Sequence, residues 1–271
     1  MIAAVVVLFH PRIDEVMNNI RTYSGSVDKV LLWRNSAEDI EIPADLVGKT
    51  ILAGNLKNEY MARPLNAALD WCHENGYGYL LTMDQDSKWE NAGLFVSRAM
   101  AIEEREIALF APYVVGQYEK PDNDYDAESV ITSGSLVNVS IARKLGGFRE
   151  DYQIYWVDGE YCYWARVNGY KVRVLHDCAL IQKFGKQTRT LFGFTTSNYS
   201  PEVYYFLIRN MFWMRREFPS GVSIKTVLYT LMYTTRGIIL GEKGKFRKIH
   251  AINKAIVNGL FSRINKRPMP E

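Results

Sequence analysis

Two acids, Asp84 and Asp86, stand one residue apart in TMDQDS, at the end of the apolar run YLLTM. Carboxylates on alternate residues at a chain turn can converge on one hard divalent cation, and oxygen donors are what Mg2+ or Mn2+ prefers. A cation held there can grip a diphosphate and neutralise the charge that builds when a nucleoside diphosphate leaves a sugar. Asp, Gln, Asp and Ser are also good turn formers, so spacing alone leaves a plain polar turn open.

The elements that must position these acids alternate between extended and helical patterns. IAAVVVLF is followed by Ile13, Val16, Ile20 and Tyr23 at helical spacing, then VDKVLLW and TILAG. A helix is expected from about Arg63 to His73, then the strand YGYLLTM, a helix from about Ala92 to Glu104 and the strand IALFAPYVV. Continuous apolar strands suit an α/β fold with a mostly parallel sheet flanked by helices. Ligands of such sheets sit beyond the carboxyl ends of the strands, where Asp84 and Asp86 fall. QYEKPDNDYDAE, residues 117 to 128, reads as a loop, and SVITSGSLVN returns to strand character. A helix is expected from about Asp158 to Val167 and a strand after it. Beyond Ser200 the pattern is helical, with later helices from about Val222 to Leu240 and Phe246 to Ile264. The expected division is an α/β domain over 1–200 and a C-terminal helical extension over 201–271.

With 271 residues, 48% of them apolar, the chain has ample material for a core. The opening MIAAVVVLFHP is expected to be a buried first strand, since it has no basic leader and stops at Pro11. Cys72, Cys162 and Cys178 show no CxxC spacing, which argues against a disulfide framework or zinc site and fits a reducing cytoplasm. Neither GxSxG nor HExxH occurs, and a net charge of +3 with no zinc, P-loop or RNP motif disfavours nucleic acid as a partner.

VVVLFHP, NEYMARPLN, TMDQDS, ITSGSL, GGFREDYQIYWVDGEYCYWARVNGYKV and VYYFLIRN occur in the order seen in family 2 glycosyltransferases, and over residues 3 to 215 the chain resembles the bacterial rhamnosyltransferase-like branch. The resemblance implies a GT-A fold, a nucleotide-diphosphate sugar donor, Mg2+ or Mn2+ held by Asp84 and Asp86, and inversion at the anomeric carbon. Inversion by single displacement needs a base for the acceptor hydroxyl. Asp158, in WVDGEY, matches the family's acid at the start of a helix beside the acceptor, with Glu160 as runner-up. The bland reading of Asp158 is a helix cap. Backbone donors at a helix start are expected to keep it ionised. Trp156, beside that acid, is the candidate acceptor contact, because aromatic rings suit the C–H faces of sugars.

The resemblance carries further donor-side positions. Phe9, His10 and Pro11 follow the first strand, where base and ribose lie, and Asn35 stands beside Arg34, which replaces an acid common among relatives. Asn58 and Asn66 match paired asparagines that offer amides to the nucleotide, although Tyr60 and Pro64 replace small residues between them. Gln85 lies between the two acids, Ser133 and Gly134 form a small-residue floor, and Gln182 takes the place of a histidine ligand, with His176 an alternative. Arg209 is suited to phosphate by its planar guanidinium, or belongs to the surface of an amphipathic helix.

From Arg236 onward, cations flank an apolar stripe of Ile249, Ile252, Ile256 and Leu260. Such helices can lie on an anionic membrane or pack on the catalytic domain or a second subunit. The expected activity is transfer to a saccharide or lipid-linked saccharide acceptor in cell-surface polysaccharide synthesis, in the cytoplasm or at the inner face of its membrane. Two rivals remain: a nucleotidyltransferase, disfavoured because FHPRIDE lacks a glycine-rich loop, and an inactive module binding sugar nucleotides or glycans.

Overall fold

All seven residues of the IAAVVVL strand, β1 (Ile2–Leu8), are buried, as a strand covered on both faces requires. A computed structural model describes residues 1–116, 119–182, 188–189, 195–265 and 267. After β1 the strands are β2 (Lys29–Arg34), β3 (Thr50–Ala53), β4 (Tyr79–Asp84), β5 (Ser87–Trp89), β6 (Ile107–Val114), β7 (Tyr125–Asp126), β8 (Ser135–Asn138), β9 (Lys171–Gln182), β10 (Thr188–Arg189) and β11 (Thr195–Thr196). The helices are α1 (Ile13–Arg21), α2 (Ala62–Glu74), α3 (Ala92–Ala101), α4 (Val139–Lys144), α5 (Val157–Val167), α6 (Pro201–Glu217), α7 (Ile224–Gly241) and α8 (Lys245–Phe261).

The chain divides into two compact units. One is formed by Met1–Glu150 with the stretch from Asp158 through β9, the other by Asp151–Val157 with the C-terminal helices. The first unit holds a nine-stranded sheet in the order β3-β2-β1-β4-β8-β6-β9-β5, with β7 also on β9. From β3 to β4 all pairs are parallel; β8 then enters antiparallel between β4 and β6. Register sets Leu8 opposite Arg34 and Val7 opposite Asp84, so β2, β1 and β4 end side by side. Helix α2 buries Leu65, Ala68, Leu69 and Cys72 at helical spacing. Helix α3 begins where Asn91 Oδ1 accepts the Leu94 N–H, and stops at Ala101 where Ile102 turns extended, short of Glu104. The segment expected to be loop contributes β7, whose Tyr125 and Asp126 pair with Val174 and Arg173.

In the second unit Ser200 caps α6, its Oγ accepting the Val203 N–H, with Pro201 in the first turn. Helix α8 packs on α6 through Gly259, where an added Cβ would stand 2.6 Å from Phe212 Cβ. Ile252 is buried and Ile249 and Ile256 are half-buried there, so most of the α8 stripe is used in packing. Among the described residues no helix is long and apolar enough to cross a membrane.

Candidate active site

The first unit gathers its acids at the carboxyl edge of the parallel strands. Asp84 ends β4, Asp86 follows in the turn to β5, and Asp158 starts α5. Asp84 is half-buried, and its carboxyl is pushed up to about 7, first by burial and then by the charges of Asp86 and Asp158. That both neighbours raise it shows the three carboxylates sharing one region. Gln182, at the end of β9 and paired with Ser87 of β5, opposes the shift by donating Nε2 to Asp84 Oδ2 at 2.7 Å.

The resulting donor set fits a hard cation. Gln182 Oε1 is buried without a hydrogen-bond partner while its amide nitrogen is fixed on Asp84. A neutral oxygen held in that way, beside two carboxylates, is the ligand chemistry Mg2+ or Mn2+ takes. His176 lies elsewhere, six residues before Gln182 on β9, in the irregular stretch where the strand's register on β6 jumps from Leu175 to Ala179. Its Nδ1 is 2.6 Å from Asp124 Oδ1. Asp124, His176 and Asp177 bring ligand atoms within 4.8 Å of one another, but Arg98 pairs with both acids, 2.8 Å from Asp124, and already supplies a positive charge.

Asp158 departs from expectation. Its Oδ1 accepts the Gly159 N–H at 2.8 Å, yet its pKa is raised, because burial outweighs the donors from Gly159, Asp158 and Thr132. The helix start therefore does not lower its pKa as expected, and a raised pKa makes it a better proton acceptor than an ordinary aspartate. A cavity of about 560 Å³ lies against it, lined also by Pro112, Tyr113, Glu128, Ile131 and Ser133. Tyr113 and Glu128 escaped sequence reasoning. Tyr113 sits within the apolar run of β6 and Glu128 in the polar stretch after it, and neither belongs to a motif.

Ser133 joins cavity and acids, since its Oγ accepts the Asp84 N–H at 3.1 Å. Gly134 has φ +78°, and an added Cβ would stand 2.9 Å from Pro112 and 3.0 Å from Leu180, so its missing side chain serves a tight strand crossing. Gln85 ties β4 to β1, accepting the Phe9 N–H at 3.0 Å and donating to the Phe9 carbonyl at 3.1 Å. Phe9 and His10 are exposed beyond β1 and Pro11 is half-buried. The His10 ring lies 4.3 Å from that of Phe9, and its Nδ1 is 2.5 Å from Glu38 Oε1.

The asparagines serve the backbone. Asn35 is buried, donates to the Tyr60 carbonyl at 2.6 Å and accepts the Glu59 N–H at 3.2 Å. Asn58 accepts the N–H of Tyr60, which has φ 58°. Asn66 exchanges two 2.7 Å bonds with the Phe148 backbone. Glu160 is fully buried, 3.9 Å from Arg149 Nη1. In the second unit Trp156 is half-buried with φ 64°. Arg209 is buried there too, donating to the Asp151 carbonyl and Asn210 Oδ1 at 2.7 Å, 4.0 Å from the Trp213 ring.

No family model matches the chain. The dTDP-rhamnosyl transferase RfbF of Shigella flexneri is 23% identical over 228 residues, 75% of this chain and 76% of that protein. S. aureus TarS in complex with UDP-GlcNAc superposes with TM-score 0.61 at 11% identity, over 96% of this chain and 81% of that one. A mannosyltransferase from Pyrobaculum calidifontis in complex with GDP-Man and Mn2+ gives TM-score 0.58 at 10% identity, over 97% and 76%. The fold is that of the GT-A glycosyltransferases, and the resemblance to family 2 glycosyltransferases is borne out.

Proposed function

We propose that this GT-A chain is an inverting glycosyltransferase that moves a sugar from a nucleoside-diphosphate donor to a hydroxyl of a saccharide or lipid-linked saccharide, in cell-surface polysaccharide synthesis. One observation carries the reading: the carboxyl of Asp84 at the end of β4 feels the charges of both Asp86 and Asp158, and a cavity lies against Asp158. Asp84, Asp86 and the Gln182 amide oxygen would hold Mg2+ or Mn2+, which supplies charge neutralisation to a departing diphosphate. The chain's own residues do the rest. Asp158 takes the proton of the acceptor hydroxyl as oxygen attacks, and its raised pKa makes it a stronger base for that task than an ordinary aspartate. Ser133 fixes the Asp84 backbone beneath the donor, and Phe9 and His10 offer ring faces to the base. Likeness to a dTDP-rhamnosyl transferase makes dTDP-rhamnose the first donor to test.

The experiment pairs a thermal-shift panel of dTDP, UDP and GDP, with and without Mn2+, with a transfer or donor-hydrolysis assay on Asp158→Asn. This variant is expected to keep the Mn2+-dependent shift while turnover falls at least about a hundredfold, the usual contribution of a positioned base. Turnover near the wild-type level would remove Asp158 from the mechanism. A wild-type protein that binds nucleotide yet neither transfers nor hydrolyses would reduce the chain to a binding module.

A further inference from the structure

Helix α7 turns its apolar half outward. Val227, Thr234, Gly237 and Ile238 are buried on one side. The opposite half, by the 100° step of a helix, carries Ile224, Leu228, Tyr229, Met232, Ile239 and Leu240, all exposed, with Leu228, Tyr229 and Met232 between 62% and 64%. Between them stand only two charged residues, Lys225 and Arg236. Tyr229 and Tyr233 stack at 6.0 Å, presenting rings whose apolar bodies and polar tips suit a boundary between water and hydrocarbon. Directly after α7 come Lys243, Lys245 and Arg247 around Phe246, which is 94% exposed. An outward apolar face of this extent marks a contact surface rather than ordinary scatter.

Charge selects the occupant. From Pro219 to Asn265 the sequence holds eight Lys and Arg residues and one acid, Glu242. Glu242 is buried, accepts from Lys248 at 2.7 Å and from Tyr204 at 2.6 Å, and so presents no negative charge outward. The other seven cations are all exposed. A second copy meeting this face symmetrically would set like charges against each other. An anionic lipid surface would receive both the apolar side chains and the cations. Helix α7 is also too polar to cross a bilayer, which leaves lying on one.

We propose that the outward half of α7, with the basic turn around Phe246, docks the chain onto anionic phospholipid headgroups. Apolar side chains enter the acyl boundary, and lysines and arginines stay at headgroup level. The apolar stripe of α8 is not the inserting face, because α6 already covers most of it. The inference stands apart from the catalytic reading, and binding is read without sugar transfer.

The full chain is sedimented with vesicles of phosphatidylglycerol in phosphatidylcholine and with vesicles of phosphatidylcholine alone. Binding is expected to be at least about tenfold tighter on the anionic vesicles and to weaken as salt rises. Leu228→Ser with Met232→Ser should weaken it by roughly tenfold per side chain. Replacing Lys243, Lys245 and Arg247 by Gln should weaken anionic binding about fivefold per cation. Lys88→Gln, at an exposed lysine of the first unit, should change nothing, and circular dichroism should match for all variants. Equal sedimentation with both vesicle types, or with neither, overturns the proposal. So does a dimer in solution that L228S/M232S converts to monomer while vesicle binding is absent.

Discussion

At residue scale the most consequential group is Asp84, because its environment opposes the charge a metal ligand needs. Its carboxyl titrates at about 7 in the folded chain, against 3.8 when unperturbed. Between about pH 4 and pH 7 the folded state therefore keeps a proton that the unfolded state has released. Metal-free stability falls as pH rises through that window, and the loss is complete above pH 7. Asp84→Asn should abolish this slope and stabilise the metal-free protein at pH 8, by on the order of 1–3 kcal/mol, read as a higher urea midpoint. The same variant should lose sugar transfer. In the wild type Mn2+ competes with the proton, so metal binding should weaken as pH drops through about 7. A lower urea midpoint for D84N at pH 8 would show that the buried charge is not the destabilising element.

At the scale of elements, the loop over residues 151–156 is strained: three of its six residues have left-handed backbone. Gln153, Tyr155 and Trp156 have φ of 59°, 63° and 64°, a region costing side-chain-bearing residues about 1–2 kcal/mol each. What opposes that strain is Asn210 on α6, whose Nδ2 lies within 2.9 Å of the Tyr152, Ile154 and Tyr155 carbonyls. Asn210→Ala should lower stability by about 2–4 kcal/mol. Asn210→Asp, which sets a carboxylate against three carbonyls, should lower it further. Gln153→Gly should raise it by up to about 1 kcal/mol. Urea midpoints and the rate of proteolytic nicking within the loop measure all three, and an Asn210→Asp chain as stable as wild type would end the account. None of this was legible in DYQIYW, because left-handed backbone at non-glycine residues leaves no compositional trace. Local signals did better. The Ser-Pro start placed α6, and the stripe over Leu65, Leu69 and Cys72 placed α2 within a residue at each end. The antiparallel entry of β8 and the pairing of Ser87 with Gln182 are long-range, and no local pattern encodes them. Asp84 and Asp86 could be read because two acids ended an apolar strand. The backbone duties of Asn35, Asn58 and Asn66 could not, because an amide motif does not say which partner it meets.

At the scale of the whole molecule, charge and thiols are both unevenly placed. Residues 200–265 carry eleven Lys and Arg against three acids, while the rest of the chain holds twenty-two against twenty-seven. The net charge of +3 conceals that split. All three cysteines belong to the first unit and all are buried. Burial pushes each thiol up to about 12, so at pH 8 almost no thiolate exists to react and little of it is reachable. The native chain should resist iodoacetamide at pH 8 and take up label only as the first unit opens; the second unit, having no cysteine, is silent. This makes alkylation a gauge of ligand binding where the acids lie. Donor nucleotide with Mn2+ at a hundred times its Kd should stabilise the folded state by about 2.7 kcal/mol. Where reclosing outpaces labelling, that slows alkylation of any thiol exposed by global opening roughly a hundredfold. In Asp84→Asn the same addition should slow it little, because the proposed metal site has lost a carboxylate. Equal protection of D84N and wild type would place the nucleotide away from Asp84. Protection without Mn2+ would remove the cation from donor binding.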